Sequence, residues 1–393
     1  MKLKVGVIFG GESVEHEISI ISAQQAIKAL DADKYDIIPI YLSKDCQFYY
    51  GDYLSEISNF SDLNNVIAQS QQVTLVKKAN QVVVEAVTNS LFKKRELTTI
   101  DVAIPIVHGT NVEDGTIQAC MEILKVPYTS SSVMASAVAQ DKVFMKQVFA
   151  ANKVPQVEWM WFYANQFLED KKSILQEFSK KIGLPAIIKP ANLGSSVGTK
   201  IAKTEAELIS AIELAISFDQ KVIIEKLIEN LLEVNCSVLG NHNNFRLSEL
   251  EEITNENNFL DFDSKYRGGG KSKGMASASR VIPARISEKE REKIYELAKR
   301  AFLAVDASGV VRIDFMKDLD TNKYYVTEIN NIPGSLSFYL WEPLGVSYTS
   351  LLDEMITIAI DNYRLKEKLT FSYQTNILDS YQKGFKSGTK VKV

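Results

Sequence analysis

Unbroken apolar runs alternate along this chain with stretches in which apolar residues recur every three or four positions. VGVIF at 5–9 has the hydrophobicity of a strand covered on both faces, and it ends at Gly10 and Gly11. After that pair, Ile20, Ala23, Ile27 and Leu30 fall on one helical face, which predicts a strand–turn–helix unit. YDIIPIYL (35–42) and DVAIPIVHG (101–109) are further buried strands. The second leads into EDGTIQACMEIL, a helix opened by acids where the helix dipole favours them. Strands alternating with helices predict a parallel sheet. Residues 43–98 are polar, with a hairpin at QVTLVKKANQVVVEAV (72–87), and read as a peripheral insertion.

A second unit is expected over 129–228. SSSVMASAVAQDKVFMKQVFAANKVP (130–155) has helical spacing with Lys142 midway; VEWMWFY, an amphipathic helix at 205–217 and the strand KVIIEKLI (221–228) come after it. The remainder holds ENLLEVNCSVLG, a loop NNFLDFDSKYRGGGKSKGMASAS, a helix from Ser287 to Val305, and strands at 309–316 and 323–330. No internal repeat is visible, and the tail after Leu369 is polar with lysines at its end. The fold class is α/β, becoming α+β in the C-terminal part.

At 393 residues the chain exceeds one small core and suggests roughly two or three domains. A net charge of −4 gives no basic field for nucleic acid or an anionic membrane, so any phosphate binding must be local. Cys46, Cys120 and Cys236 are far apart and show no CxxC spacing, which argues against a disulfide framework and a structural zinc site. The first apolar stretch is too short for a signal segment, and no run reaches the roughly 18 apolar residues of a membrane span. A cytoplasmic protein is the expectation.

Candidate chemistry gathers at two places. After the buried run GLPAIIKP the chain reads KPANLGSSVGTK (189–200), which suits a surface turn or a phosphate lid whose small residues let backbone N–H groups face an anion beside Lys189. GVVRIDFMKDLDTNKYYVTEINNIPG is the other. If its DLDTNK turn centres near Thr321, Asp314 lies across from Glu328 and Arg312 across from Asn330. Facing carboxylates repel unless something positive lies between them. Arg312 meets part of that need; a hard divalent cation meets it better, because Asp, Glu and Asn offer the oxygen ligands Mg²⁺ takes. A solvated polar face on a hairpin is the competing reading.

GGESVEHEIS (10–19), VHGTNVEDG (107–115), IIKPANLGSSVG (187–198), VIIEKLI (222–228), FLDFDSKY (259–266), VVRIDF (310–315) and TEINNIPG (327–334) occur in order. Together they resemble the D-alanine:D-alanine ligase family of the ATP-grasp superfamily. The resemblance implies a Rossmann-like N-terminal domain (1–128), a central ATP-grasp domain (129–228), and a C-terminal domain (229–393) with the metal and acceptor site. It also implies the activity: ATP phosphorylates one D-alanine carboxylate, and the amine of a second attacks the acyl phosphate.

By the same resemblance, Glu15 holds the first substrate's ammonium, His108 lies near the acyl phosphate, and Ser195 links Glu15 to Tyr266. Lys142, Lys189, Ser196 and Lys265 bind phosphates. Glu225 meets the adenine amine, with Lys226 and Leu227 offering backbone to the ring edge, and Glu233 meets the ribose. Arg312 and the Gly334 N–H hold the oxyanion; Asp314, Glu328 and Asn330 hold two Mg²⁺, for which Mn²⁺ is a substitute. The implied partners are ATP and D-alanine, with no nucleic acid and no membrane; a homodimer stays open. Val112 stands where a glycine is common, and SLSFYLWEP comes after the PG turn, placing Tyr339 where a serine usually meets the acceptor carboxylate.

The rivals are a carboxylate–amine ligase with another acceptor and an ATP-binding regulatory protein without ligation. A nicotinamide-dependent dehydrogenase is disfavoured, because VIFGGESVEH lacks the GxGxxG spacing.

Overall fold

The structure is a computed structural model, which describes residues 2–79, 81–87, 95–254, 279–372 and scattered positions from 375 to 381. Three sheets carry the chain.

The first sheet comprises β1 (Leu3–Gly10), β2 (Tyr35–Leu42), β3 (Phe48–Tyr50), β4 (Gln71–Lys78), β5 (Gln81–Ala86), β6 (Glu96–Ile100) and β7 (Val102–Ile106), in the order β6-β5-β4-β3-β2-β1-β7. The parallel pairing expected from the first apolar runs is found: β1 lies between β2 and β7, with Val7 opposite both Pro39 and Ile104. Val5, Val7, Ile8 and Phe9 are fully buried, and so is the predicted face of α1 (His16–Ala29), which includes Ile20 and Ala23. The predicted 72–87 hairpin forms as β4 and β5. Residues 43–98 are not a peripheral insertion, however. Their described strands continue the first sheet antiparallel from β2. They read as polar because β4 leaves positions open to solvent on one side. The short α2 (Leu63–Gln69) is capped by Asp62 and leads into β4. α3 (Thr116–Leu124) comes after β7.

The predicted helical stretch 130–155 breaks at Asp141 into α4 (Val133–Gln140) and α5 (Lys142–Ala151). The Asp141 carboxylate accepts the N–H groups of Val143 and Phe144 and so restarts the helix. The second sheet is antiparallel: β8 (Trp159–Tyr163), β9 (Ala186–Pro190), β10 (Lys200–Ala202) and β11 (Lys221–Lys226), ordered β10-β9-β11-β8. Between β8 and β9 run α6 (Ala164–Glu169) and α7 (Lys171–Lys181); α8 (Glu205–Ile216) precedes β11. Phe178 and Ile212 of these helices pack on Phe162, Ile188 and Val222.

The third sheet, also antiparallel, contains β12 (Leu231–Gly240), β13 (Phe245–Thr254), β14 (Ser279–Val281), β15 (Gly309–Asp318) and β16 (Lys323–Asn330), ordered β14-β13-β12-β15-β16. Its core takes Ile294, Leu297 and Phe302 from α9 (Glu288–Ala304) and Met145 and Phe149 from α5. Helix α10 (Tyr348–Glu367) turns back to the first sheet. Its Leu351, Leu352 and Met355 share a core with β1, as do Leu336 and Trp341 of the preceding turn. The chain thus returns to its beginning, and the residues around Gly334 lie against the mouth of the first sheet.

Candidate active site

A cleft of about 320 Å³ is lined by residues of the second and third sheets and by Glu15, Ile18, His108 and Glu113 from the segments that come after first-sheet strands β1 and β7. At its first-sheet wall the chain leaves β1 through Gly10 and Gly11, both at positive φ. A side chain at Gly10 would begin 2.2 Å from the Leu42 carbonyl oxygen, so only glycine makes this turn. The turn sets Glu15 at the head of α1. Opposite, β9 ends at Lys189 and Pro190, and Ser195, Ser196 and Gly198 of the next loop take left-handed conformations. Successive N–H groups in such a turn form a concavity suited to an anion. The loop closes on Glu15: Ser195 Oγ donates to Glu15 Oε1, and a side chain at Gly194 would begin 2.6 Å from Glu15 Oε2. Lys142, at the first turn of α5, donates from Nζ to the Leu193 carbonyl at 2.7 Å.

The cross-strand register of β9 and β11 pairs Lys189 with Ile223, which leaves Glu225, two residues further along β11, as its diagonal neighbour on the same face. The Glu225 carboxylate is gripped by two ammonium groups, Lys146 Nζ at 2.5 Å and Lys189 Nζ at 2.5 Å. Burial alone would push the Glu225 carboxyl up; the two lysines outweigh it and hold the group well below the usual carboxylate range. Sequence reasoning missed Lys146, yet a signal existed. It lies three residues from Val143 and from Phe149 on the apolar stripe of α5, and its side chain is only 2 % exposed. Lys146→Met should lower stability by about 3 kcal/mol, the scale of breaking a buried ion pair, as urea denaturation can measure. A loss near zero would mean that Lys189 alone satisfies Glu225.

Lys226, Leu227 and Glu233 line the same end of the cleft. The N–H groups of Lys226 and Leu227 are donated to the carbonyls of Glu158 and Pro185, so these donors are engaged within the protein.

At the other end, β15 and β16 pair as the sequence predicts, Asp314 opposite Glu328 and Arg312 opposite Asn330, with a bulge after Asp314. The positive group that Asp314 needs is supplied by Arg312: Nε donates to Oδ1 at 2.7 Å and Nη2 to Oδ2 at 2.8 Å. This fork is bidentate, the strong form of the interaction. Asn330 Nδ2 donates to Asp314 Oδ2 at 3.1 Å, and Asp314 and Glu328 line the cleft. Among the described residues no group of three or more His, Cys, Asp or Glu is placed to hold a metal ion. The donors present are two carboxylates and one amide oxygen, a hard oxygen set that fits a cation such as Mg²⁺.

His108 lies two residues beyond the end of β7 and is buried, with Nε2 3.2 Å from Ser22 Oγ. Burial, helped by the Arg312 charge and opposed by the Ile332 backbone, pushes its imidazole down to about 4. The unfolded chain then binds a proton near pH 6.5 that the folded chain refuses until about pH 4, so His108 should cost stability as pH falls through that window. Denaturation at pH 7 and pH 5 checks this: the wild type should lose more stability than His108→Gln, and equal losses would contradict it.

The sequence places Glu113 among the acids that open a helix. It is instead turned inward, accepting the Gly109 N–H at 2.9 Å and the Ile332 N–H at 2.9 Å, while Asp114 takes the helix-opening position by accepting the Thr116 N–H. Burial pushes the Glu113 carboxyl up to about 8 against the pull of those N–H groups. No residue pattern around it separates it from Asp114. Tyr339 also faces the cleft, its hydroxyl 3.5 Å from Glu251 Oε2 and its ring 4.9 Å beneath the Arg280 guanidinium. The predicted Lys265 and Tyr266 lie outside the described residues. Glu15, His108, Lys142, Lys189, Ser195, Ser196, Glu225, Lys226, Leu227, Glu233, Arg312, Asp314, Glu328 and Gly334 share the one cleft.

Residues 4–131 match the family model for the D-ala D-ala ligase N-terminus, and residues 148–357 match that for the D-ala D-ala ligase C-terminus. The chain is 39% identical over 381 residues to a D-alanine–D-alanine ligase of Thermosipho africanus, covering 96% of this chain and 98% of the relative. Against that of Thermosipho melanesiensis it is 40% identical over 378 residues, covering 96% and 98%. Among solved structures, the D-alanine-D-alanine ligase from Coxiella burnetii superimposes with a TM-score of 0.79 at 29% identity, covering 93% of this chain and 96% of that one. A D-Ala:D-Ser ligase from Enterococcus faecalis gives 0.75 at 26%, covering 91% and 100%. Two family models that between them account for all three sheets, and relatives alike along nearly their whole length, agree with a cleft of lysines, serines and facing carboxylates: the chain belongs to the D-alanine–D-alanine ligase family.

Proposed function

We propose that this chain is an ATP-dependent ligase that joins two D-alanine molecules into D-alanyl-D-alanine, with ADP and phosphate as co-products, for peptidoglycan precursor synthesis. The observation that carries the reading is the closure of the Ser195 loop on Glu15. It sets an acid suited to a substrate ammonium beside a loop suited to phosphate, in one cleft with Arg312 and Asp314.

In the first step a carboxylate oxygen of one D-alanine attacks the γ-phosphorus of ATP, the bond to ADP breaks, and an acyl phosphate forms. Lys142, Lys189, Ser196 and the loop N–H groups hold the phosphates, with Lys265 joining them. Glu225, Lys226 and Leu227 border the adenine, and Glu233 takes the ribose. Asp314, Glu328 and Asn330 would hold Mg²⁺, two ions by the family pattern and replaceable by Mn²⁺, whose chemistry is to neutralise phosphate charge. Asn330 would present its carbonyl oxygen for this, an atom separate from the Nδ2 that donates to Asp314.

In the second step the free amine of the other D-alanine attacks the acyl carbon. The Arg312 guanidinium and the Gly334 N–H stabilise the oxyanion, and phosphate leaves. Glu15 anchors the first ammonium and, with Ser195 and Tyr266, closes the site, while neutral His108 stands by the acyl phosphate. We read the first sheet, with its parallel centre, as a Rossmann-like unit over 1–128, followed by ATP-grasp units over 129–228 and 229–393. Among the described residues no helix is long and apolar enough to cross a membrane, and a cytoplasmic site of action is part of this proposal. ADP release that depends on added D-alanine supports the reading; release indifferent to it favours the regulatory alternative.

Tyr339 bears on the acceptor. A phenol in place of a small serine moves the hydroxyl outward and narrows the pocket. Tyr339→Ser should therefore relax acceptor choice, raising the yield of mixed product from D-alanine plus D-serine or D-lactate severalfold, as mass spectrometry reads. An unchanged product ratio would remove Tyr339 from the acceptor site.

A further inference from the structure

The backbone that carries Gly334 is tied to the first sheet at two points that bracket it. Two residues before Gly334, the Ile332 N–H donates to Glu113 Oε1 at 2.9 Å, and the other Glu113 oxygen accepts the Gly109 N–H at 2.9 Å. One residue after it, the Ser335 N–H donates to Ser22 Oγ at 3.0 Å, and the same hydroxyl meets His108 Nε2 at 3.2 Å. The Ser335 tie is buried and the Ile332 tie partly so, and both join residues more than 200 positions apart.

The turn just beyond Gly334 needs holding. Ser335, Leu336 and Ser337 have φ of 52°, 51° and 51°, three consecutive side-chain-bearing residues in the left-handed region. Such a turn persists only where the surroundings impose it. Here Leu336 is buried in the first sheet's core, its N–H donates to the Pro333 carbonyl at 2.8 Å, and Ser22 fixes the turn's first N–H.

We propose that Ser22 and Glu113 are positioning residues for ligation: clamping the chain on both sides of Gly334, they aim its N–H at the oxyanion and make the oxyanion site a joint product of the first and third sheets. The inference rests on the oxyanion role proposed for Gly334. An oxyanion donor acts only when fixed within a few tenths of an ångström of the developing charge, and displacement by about 1 Å costs about a hundredfold in rate. Neither clamp residue touches the Lys189–Glu225 end of the cleft, so nucleotide binding has no need of them.

The test compares wild type, Ser22→Ala and Glu113→Gln. A hydroxyl lost from Ser22 frees the Ser335 N–H; an amide at Glu113 can accept from only one of the two N–H groups. Three quantities are measured: kcat, the KM for ATP, and the affinity of a dipeptide phosphinate that mimics the tetrahedral intermediate, with ATP present. The clamp predicts kcat down about tenfold in Ser22→Ala and about tenfold to a hundredfold in Glu113→Gln, with phosphinate affinity falling in step and the KM for ATP within about twofold. Unchanged kcat and phosphinate affinity would overturn the clamp, and so would a fall in kcat matched by an equal loss of ATP affinity and a lower Tm, the mark of a purely structural role. If the wild type itself forms no dipeptide, the ligase reading fails, and the clamp with it.

Discussion

Glu328→Gln and Asp314→Asn should each lower turnover by about a thousandfold or more while the protein stays folded. The expected size comes from losing several kcal/mol of charge stabilisation at the transferring phosphoryl group, at about 1.4 kcal/mol per factor of ten. Neither change opens a cavity in the core, because both carboxylates project into the cleft. The two variants report different things. Asp314→Asn also dismantles the fork with Arg312, so its loss combines metal and oxyanion effects. Glu328→Gln leaves that fork in place, and its deficit should shrink as Mg²⁺ is raised. Normal Mg²⁺-dependent turnover in either variant would remove the metal assignment and leave the hairpin as a polar face.

Lys189→Ala should act on the nucleotide instead. Loss of one charge-assisted hydrogen bond to phosphate, worth about 1.5–3 kcal/mol, predicts a KM for ATP raised about tenfold to a hundredfold, with a smaller change for D-alanine. Glu225 keeps its other partner, Lys146, so the second sheet should survive the substitution. Steady-state kinetics at varied ATP decide the matter. If apparent ATP affinity and turnover are both unchanged, the Ser195 loop is only a turn.

Much of this site is legible in the residues, and its gaps have physical causes. The register that sets Asp314 against Glu328 comes from two alternating strands and a short turn, local features that need no tertiary knowledge. Strands β1, β2 and β7 announce themselves because burial on both faces demands unbroken hydrophobicity. Strand β4 hides its membership of the first sheet because a strand with half-open and exposed positions looks polar in bulk. The return of Leu336 and α10 to the first sheet is a long-range packing choice that local periodicity does not encode. Glu113 and Lys146 escape sequence reasoning for a related cause. A charged residue is ordinarily read as solvated, and the feature that reverses this here is a partner distant in sequence: the Ile332 N–H for one, Glu225 for the other.

Ligation through an acyl phosphate is tested most directly by D-alanine labelled with ¹⁸O in its carboxylate. With ATP and Mg²⁺, mass spectrometry should find D-alanyl-D-alanine and inorganic phosphate carrying one ¹⁸O, because the carboxylate oxygen that attacks the γ-phosphorus departs with it. No dipeptide from D-alanine, or dipeptide beside unlabelled phosphate, would contradict the mechanism.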